Sequence, residues 1–119
     1  MTAPEHAPTV LALYETICVV VCAKFRVTPR KLLVSRSRGR GGPGFARQVA
    51  MYLLRTHGVS FQKVGELFGG RSLSTVSHAC ATVEDARDDP AIDGRIDEIE
   101  SAVHRRIKAS PATSVSSGS

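Results

Sequence analysis

The sequence predicts an all-α fold: a bundle of about six helices, two of them joined by a tight glycine turn. Three observations predict it. Apolar residues recur at spacings of three and four along successive stretches, hydroxyl residues stand where helices would begin, and Gly or Pro interrupts the pattern between them.

Residues 1–8 carry no pattern and are expected to form a flexible N-terminal arm. Thr9 then caps a helix that turns Val10, Leu13, Ile17, Val20, Val21 and Phe25 to one side. The β-branched run from Val19 to Val21 would suit a strand, but the longer period around it favours helix. Thr28 and Pro29, a hydroxyl cap followed by Pro at the first helical position, start a short helix through Lys31, Leu32, Leu33 and Val34. Residues 35–44, SRSRGRGGPG, hold four glycines, a proline and three arginines, a composition that sustains neither helix nor strand. Such a segment is either a linker or a contact arm. The next helix runs from about Phe45 to His57, with Val49, Leu53 and Tyr52 inward, and stops at Gly58.

Ser60 precedes Phe61, Val64, Leu67 and Phe68, one helical face with a hydroxyl at its start. Gly69 and Gly70 end that helix, because glycine takes the left-handed conformation at low cost. A second helix starts among Ser72 to Thr75, carries Val76, Ala79, Cys80 and Val83 inward, and leaves Arg71, Ser74, Thr75 and His78 outward until Asp89 and Pro90 break it. Two helices joined by a short glycine turn are the form of a helix-turn-helix, whose second helix lies in the DNA major groove. Small polar groups and one His at the front of that helix suit the reading of base edges. A last helix carries Ile92, Ile96, Ile99, Val103 and Ile107, and either packs as a final element or serves as a partner surface. One domain over residues 9–108 is expected, with a disordered tail over 109–119.

Charge narrows the function. The 119 residues have a formal net charge of +5, unevenly spread. From Thr16 to Gly65 stand ten Lys or Arg residues and no Asp or Glu. Such a block is a phosphate-seeking surface. From Glu84 to Glu100 the sign reverses, with eight acids against Arg87 and Arg95. No run of 18 apolar residues and no secretory signal is present, so a cytoplasmic protein without membrane contact is expected. The three cysteines fall at core-like positions, and Cys18, Cys22, His78 and Cys80 lack the spacing of a zinc site. Neither metal nor cofactor is expected. No His has a carboxylate or nucleophile at a recognisable catalytic spacing, so the chain does not read as an enzyme.

The segment FARQVAMYLLR, residues 45–55, followed by VGELFGGRSLSTVSHACATVEDA, resembles the C-terminal duplex-binding domain of DnaA, the bacterial chromosomal replication initiator. The likeness joins an RQVAMYL helix, a VGxxFGGR turn and an STVxHA helix in the family's order. It extends from about Thr9 to Val83, because VTPRKLLV and the loop SRSRGRGG match the family's short helix and basic loop. The resemblance implies a TrpR/DnaA-domain-like bundle, here free-standing: GRGGPGFARQ lacks the Lys and Ser/Thr of the phosphate loop that an ATPase module would need. It also implies roles. The minor-groove arginine of the loop falls to Arg36 or Arg38, the RQ pair to Arg47 and Gln48, and the front-of-helix positions, beyond Arg71, to Ser72, Leu73, Ser74, Thr75 and His78.

Two departures bear on specificity: the basic loop is longer and richer in glycine than the family's, and the recognition helix starts differently. Where the family has Asp-His-[Ser/Thr]-Thr after its GGR turn, this chain has Ser72-Leu73-Ser74-Thr75. An acid and a base-reading histidine are lost, so duplex binding is expected to survive while preference for the family's initiator box changes. The implied partner is double-stranded DNA, bound in control of chromosomal replication initiation or of transcription, in the cytoplasm and on the bacterial nucleoid. The alternative is an adaptor of the same fold that binds the replication initiator or other replication proteins through its acidic final helix.

Overall fold

The computed structural model describes residues 9–36 and 41–109, so the N-terminal arm, Arg38 and the C-terminal tail beyond 109 lie outside the described residues. The described residues form six helices: α1 (Val10–Phe25), α2 (Pro29–Val34), α3 (Pro43–Thr56), α4 (Phe61–Leu67), α5 (Leu73–Ala86) and α6 (Pro90–Ala109). The all-α expectation holds, and the β-branched run in α1 is helical.

Four helices start in the same way, because an N-cap oxygen satisfies an amide that has no partner inside the helix. Thr9 accepts from Ala12 N–H at 3.0 Å and Thr28 from Lys31 N–H at 3.1 Å. Ser60 accepts from Lys63 N–H at 3.1 Å and Ser72 from Thr75 N–H at 3.2 Å. The α6 start is held by Asp89, whose carboxylate accepts from Ala91 N–H at 2.9 Å. In contrast, α3 has no side-chain cap and begins on Pro43. That start lies earlier than Phe45, inside the segment read as unable to hold helix. Proline is preorganised for the first helical position, so the GPG run leads into the helix rather than excluding it.

The centre of the bundle is α3, which contacts α1, α2, α4 and α5. Phe45, Ala46 and every residue from Val49 to Leu54 are buried. The expectation of one inward face on Val49, Tyr52 and Leu53 was too narrow, since a helix covered on several sides buries more than a single stripe. Around it, Ile17 and Val21 of α1, Val64 of α4 and Val76 and Val83 of α5 are fully buried.

Helix α6 packs on α1 and places Ile96, Ile99 and Val103 in the core. Of the two readings left open for its apolar stripe, packing is therefore the one realised. Arg95 reinforces the contact by stacking 4.3 Å over the Phe25 ring and donating to the Lys24 carbonyl at 3.0 Å. Arg87, just past α5, donates at 2.6 Å to each of Asp93 and Asp97. Burial by itself would lower the Arg87 pKa, but its bonds to these carboxylates outweigh that and raise it.

Candidate nucleic-acid interface

The turn between α4 and α5 is shaped by glycine in two ways. Gly69 and Gly70 have φ of 86° and 81°, a region open to glycine and costly to other residues. Gly65, inside α4, is buried, and its carbonyl accepts from both Gly70 N–H and Arg71 N–H at 2.9 Å. A Cβ on Gly65 would overlap the Arg71 carbonyl oxygen. The chain thus folds back tightly onto the first helix of the pair, and the start of α5 inherits that position.

Helix α5 has two unlike faces. Val76, Ala79, Val83 and Ala86 are buried, and Cys80 is half-buried against the core. Ser72, Leu73, Ser74, Thr75 and His78 are all exposed. Leu73 keeps 57% of its surface in contact with solvent, unusual for so large an apolar side chain at a helix start. The Ser72 and Thr75 hydroxyls lie 3.0 Å apart, so part of their hydrogen-bonding capacity is used within the cap. Ser77 and Ala81 share the exposed surface and were missed. Stepping by four from Leu73 would have found both.

The remaining candidate residues divide into two groups. Arg36 is exposed and Gln48 is half-buried, whereas Arg38 lies outside the described residues. Arg47 and Arg71 are instead drawn against the end of α2. Arg47 Nη1 donates to the carbonyls of Leu32 at 3.0 Å and Ser35 at 2.8 Å, and Arg71 Nη2 donates to that of Leu33 at 2.7 Å. Arg71, read as outward, is half-buried. Arg36, Arg47, Arg71 and Gly69 line one groove of about 460 Å³ beside the turn. Arg55 is likewise engaged within the fold, donating to the Val59 carbonyl at 2.8 Å and lying 4.1 Å over the Phe61 ring.

On the acidic side, Glu84, Asp85, Asp88, Asp89 and Glu98 remain exposed. Among the described residues no three His, Cys, Asp or Glu side chains gather as a metal site would require. No helix among them is long and apolar enough to cross a membrane.

Residues 14–83 match the family model described as the bacterial dnaA protein helix-turn-helix. The match covers α2, α3, α4 and the turn in full, and most of α1 and α5. Among curated proteins, the chain is 42% identical over 72 residues to the chromosomal replication initiator protein DnaA of Synechocystis sp., covering 60% of this chain and 16% of that protein. It is 38% identical over 86 residues to the same initiator of Symbiobacterium thermophilum, covering 71% and 18%. For that of Acinetobacter baumannii the identity is 43% over 82 residues, covering 66% and 17%. The chain therefore spans less than a fifth of the length of these relatives. It belongs to the bacterial DnaA helix-turn-helix family, a family of DNA-binding domains.

Proposed function

We propose that this member of the DnaA helix-turn-helix family binds double-stranded DNA with sequence preference, in control of chromosomal replication initiation or of transcription, in the cytoplasm and on the nucleoid. The observation that carries the reading is the two-faced α5: its rear is locked into the core while Leu73, Ser74, Thr75 and His78 stand exposed at its front. A helix held that way offers base-reading groups at little cost in conformational freedom. Hydroxyl groups can bond to base edges, and Leu73 can touch a thymine methyl.

In this reading Ser72, Leu73, Ser74, Thr75 and His78 face the major groove, Gln48 approaches the backbone from α3, and Arg36, with Arg38 by sequence, enters the minor groove. Arginine is favoured there because a narrow groove concentrates negative potential. The adaptor alternative has less support. The apolar stripe of α6 is spent inside the domain, so an acidic partner face would have to bind through charge alone.

The test is duplex binding by the purified chain across a salt series. Each neutralised phosphate contributes a log-log slope of about −0.9, so several contacts give a steep fall in affinity. Selection from random duplexes would then return the preferred site. A flat salt response with no enriched sequence would reject the reading and leave the adaptor.

A further inference from the structure

Arg47 and Arg71 come from different helices and converge on the same few carbonyls at the end of α2. The last carbonyls of a helix lack intrahelical donors and carry partial negative charge, which makes them natural acceptors for guanidinium groups. The arrangement has a cost. Burial first, and the charge of Arg71 second, lower the Arg47 pKa. Arg71 Nε is buried without a hydrogen-bond partner, and no ion pair among the described residues includes either arginine. Two cations without a carboxylate are thus gathered at one helix end. What they connect is specific: the Arg71 backbone is tied to Gly65 across the turn, and Arg71 directly precedes the Ser72 cap of α5. On the other side, Ser35 and Arg36 are the residues that leave α2.

We propose that Arg47 and Arg71 are positioning residues for specificity: by clamping the carbonyl end of α2, they fix Arg36 relative to the front of α5, so that both meet one duplex in a single register. The inference rests on the duplex-binding reading. It differs from a phosphate role for these arginines, because it assigns their donors to the protein itself.

The test compares the full native chain with Arg71→Met and Arg71→Gln. Each is measured on duplexes carrying the selected core and an A·T-rich flank, at the native spacing or displaced by one base pair. The native chain should bind the displaced duplex about tenfold more weakly, the scale of a lost base contact. Arg71→Met should bind the two duplexes alike, with its salt slope unchanged. Arg71→Gln, which keeps a donor for the Leu33 carbonyl without the charge, should restore the discrimination. A slope shallower by about one in both variants, with the discrimination retained, would overturn the proposal in favour of a phosphate contact. So would an equal loss on both duplexes, the mark of a merely structural role, or a native chain indifferent to the displacement.

Should Arg71→Met fail to fold, Arg71→Gln decides alone: native slope with native discrimination supports the clamp, and a shallower slope overturns it. If the native chain binds no duplex at all, the functional reading fails separately. Amide exchange of the free protein then reads the clamp itself. Faster exchange at Leu33 to Arg36 in Arg71→Met, with Arg71→Gln closer to native and α6 unaffected, supports a clamp, and unchanged exchange in Arg71→Met overturns it.

Discussion

Gly65 and Arg71 are joined backbone to backbone across the helix-turn-helix: the Arg71 N–H donates to the Gly65 carbonyl at 2.9 Å, and the Arg71 carbonyl occupies the space that a Cβ on residue 65 would need. Because the obstacle is backbone, no rotamer change can relieve it. Gly65→Ala should therefore lower stability by about 1–3 kcal/mol, the usual range for overpacking, and weaken duplex binding with it. Chemical denaturation followed by circular dichroism measures the first effect. An unchanged midpoint would mean that the turn opens freely and does not fix α5.

Two neighbouring serines should behave differently. Ser72 caps α5 through its bond from Thr75 N–H, so Ser72→Ala should cost about 1 kcal/mol of stability. Ser74 is exposed on the front of the same helix, and Ser74→Ala should leave stability within about 0.5 kcal/mol. Its effect should emerge in selection from random duplexes, as a changed preference worth about 1–3 kcal/mol at particular base pairs. An identical selection profile would remove Ser74 from the reading surface.

The thiol of Cys18 offers a pH test of the core. Burial, with a smaller push from Cys22, raises its pKa to about 12 against an opposing hydrogen bond from Tyr14. In the unfolded chain the same thiol ionises near its ordinary value of 9.0. The unfolded state therefore loses the proton first, and the contribution of this group to stability, fully present below that value, is lost as pH rises from about 9 towards 12. At pH 8 the folded thiol stays protonated to a far greater extent than the unfolded one, so alkylation of Cys18 should be far slower in the native chain than in urea. Equal labelling rates would show that the α1 side chain is not held as described.

The basic segment after α2 should be felt through the groove it enters. Arg36→Ala combined with Arg38→Ala should reduce affinity most for cores with A·T-rich flanks, where the minor groove is narrow and most negative. Parallel affinity series on A·T-rich and G·C-rich flanks check this. Equal losses on both would mean that these arginines see only phosphates.

What was legible in the sequence was local. The caps at Thr9, Thr28 and Ser60 and the glycine turn are set by residues within a few positions, and they fall where the pattern placed them. The full burial of α3 was not legible, because it depends on how many neighbours the helix acquires rather than on its own period. The same reason hid Arg71. The apolar spacing of α5 left its side chain outward, but the acceptor that draws it in, Leu33, is 38 residues away. Ser77 and Ala81 were legible and overlooked.

The last prediction concerns Leu73. The family offers a histidine at this position, able to hydrogen-bond a base, whereas leucine can only meet an apolar group such as the thymine methyl. The structure leaves Leu73 57% exposed on the front of α5, with no packing role that would otherwise explain it. The native chain should therefore bind the family's initiator box more weakly than a site chosen by selection, or with relaxed specificity. Leu73→His should raise affinity for that box relative to unrelated duplex, by about 1–3 kcal/mol if a full base contact is regained. The replaced side chain is largely exposed, so stability should change little and the comparison is one of binding alone. Competition assays with the box, the selected site and a scrambled duplex measure the ratio. If the native chain already discriminates the box as sharply as the histidine variant, the substitution at this position did not alter specificity, and Ser74, Thr75 and His78 carry recognition without it.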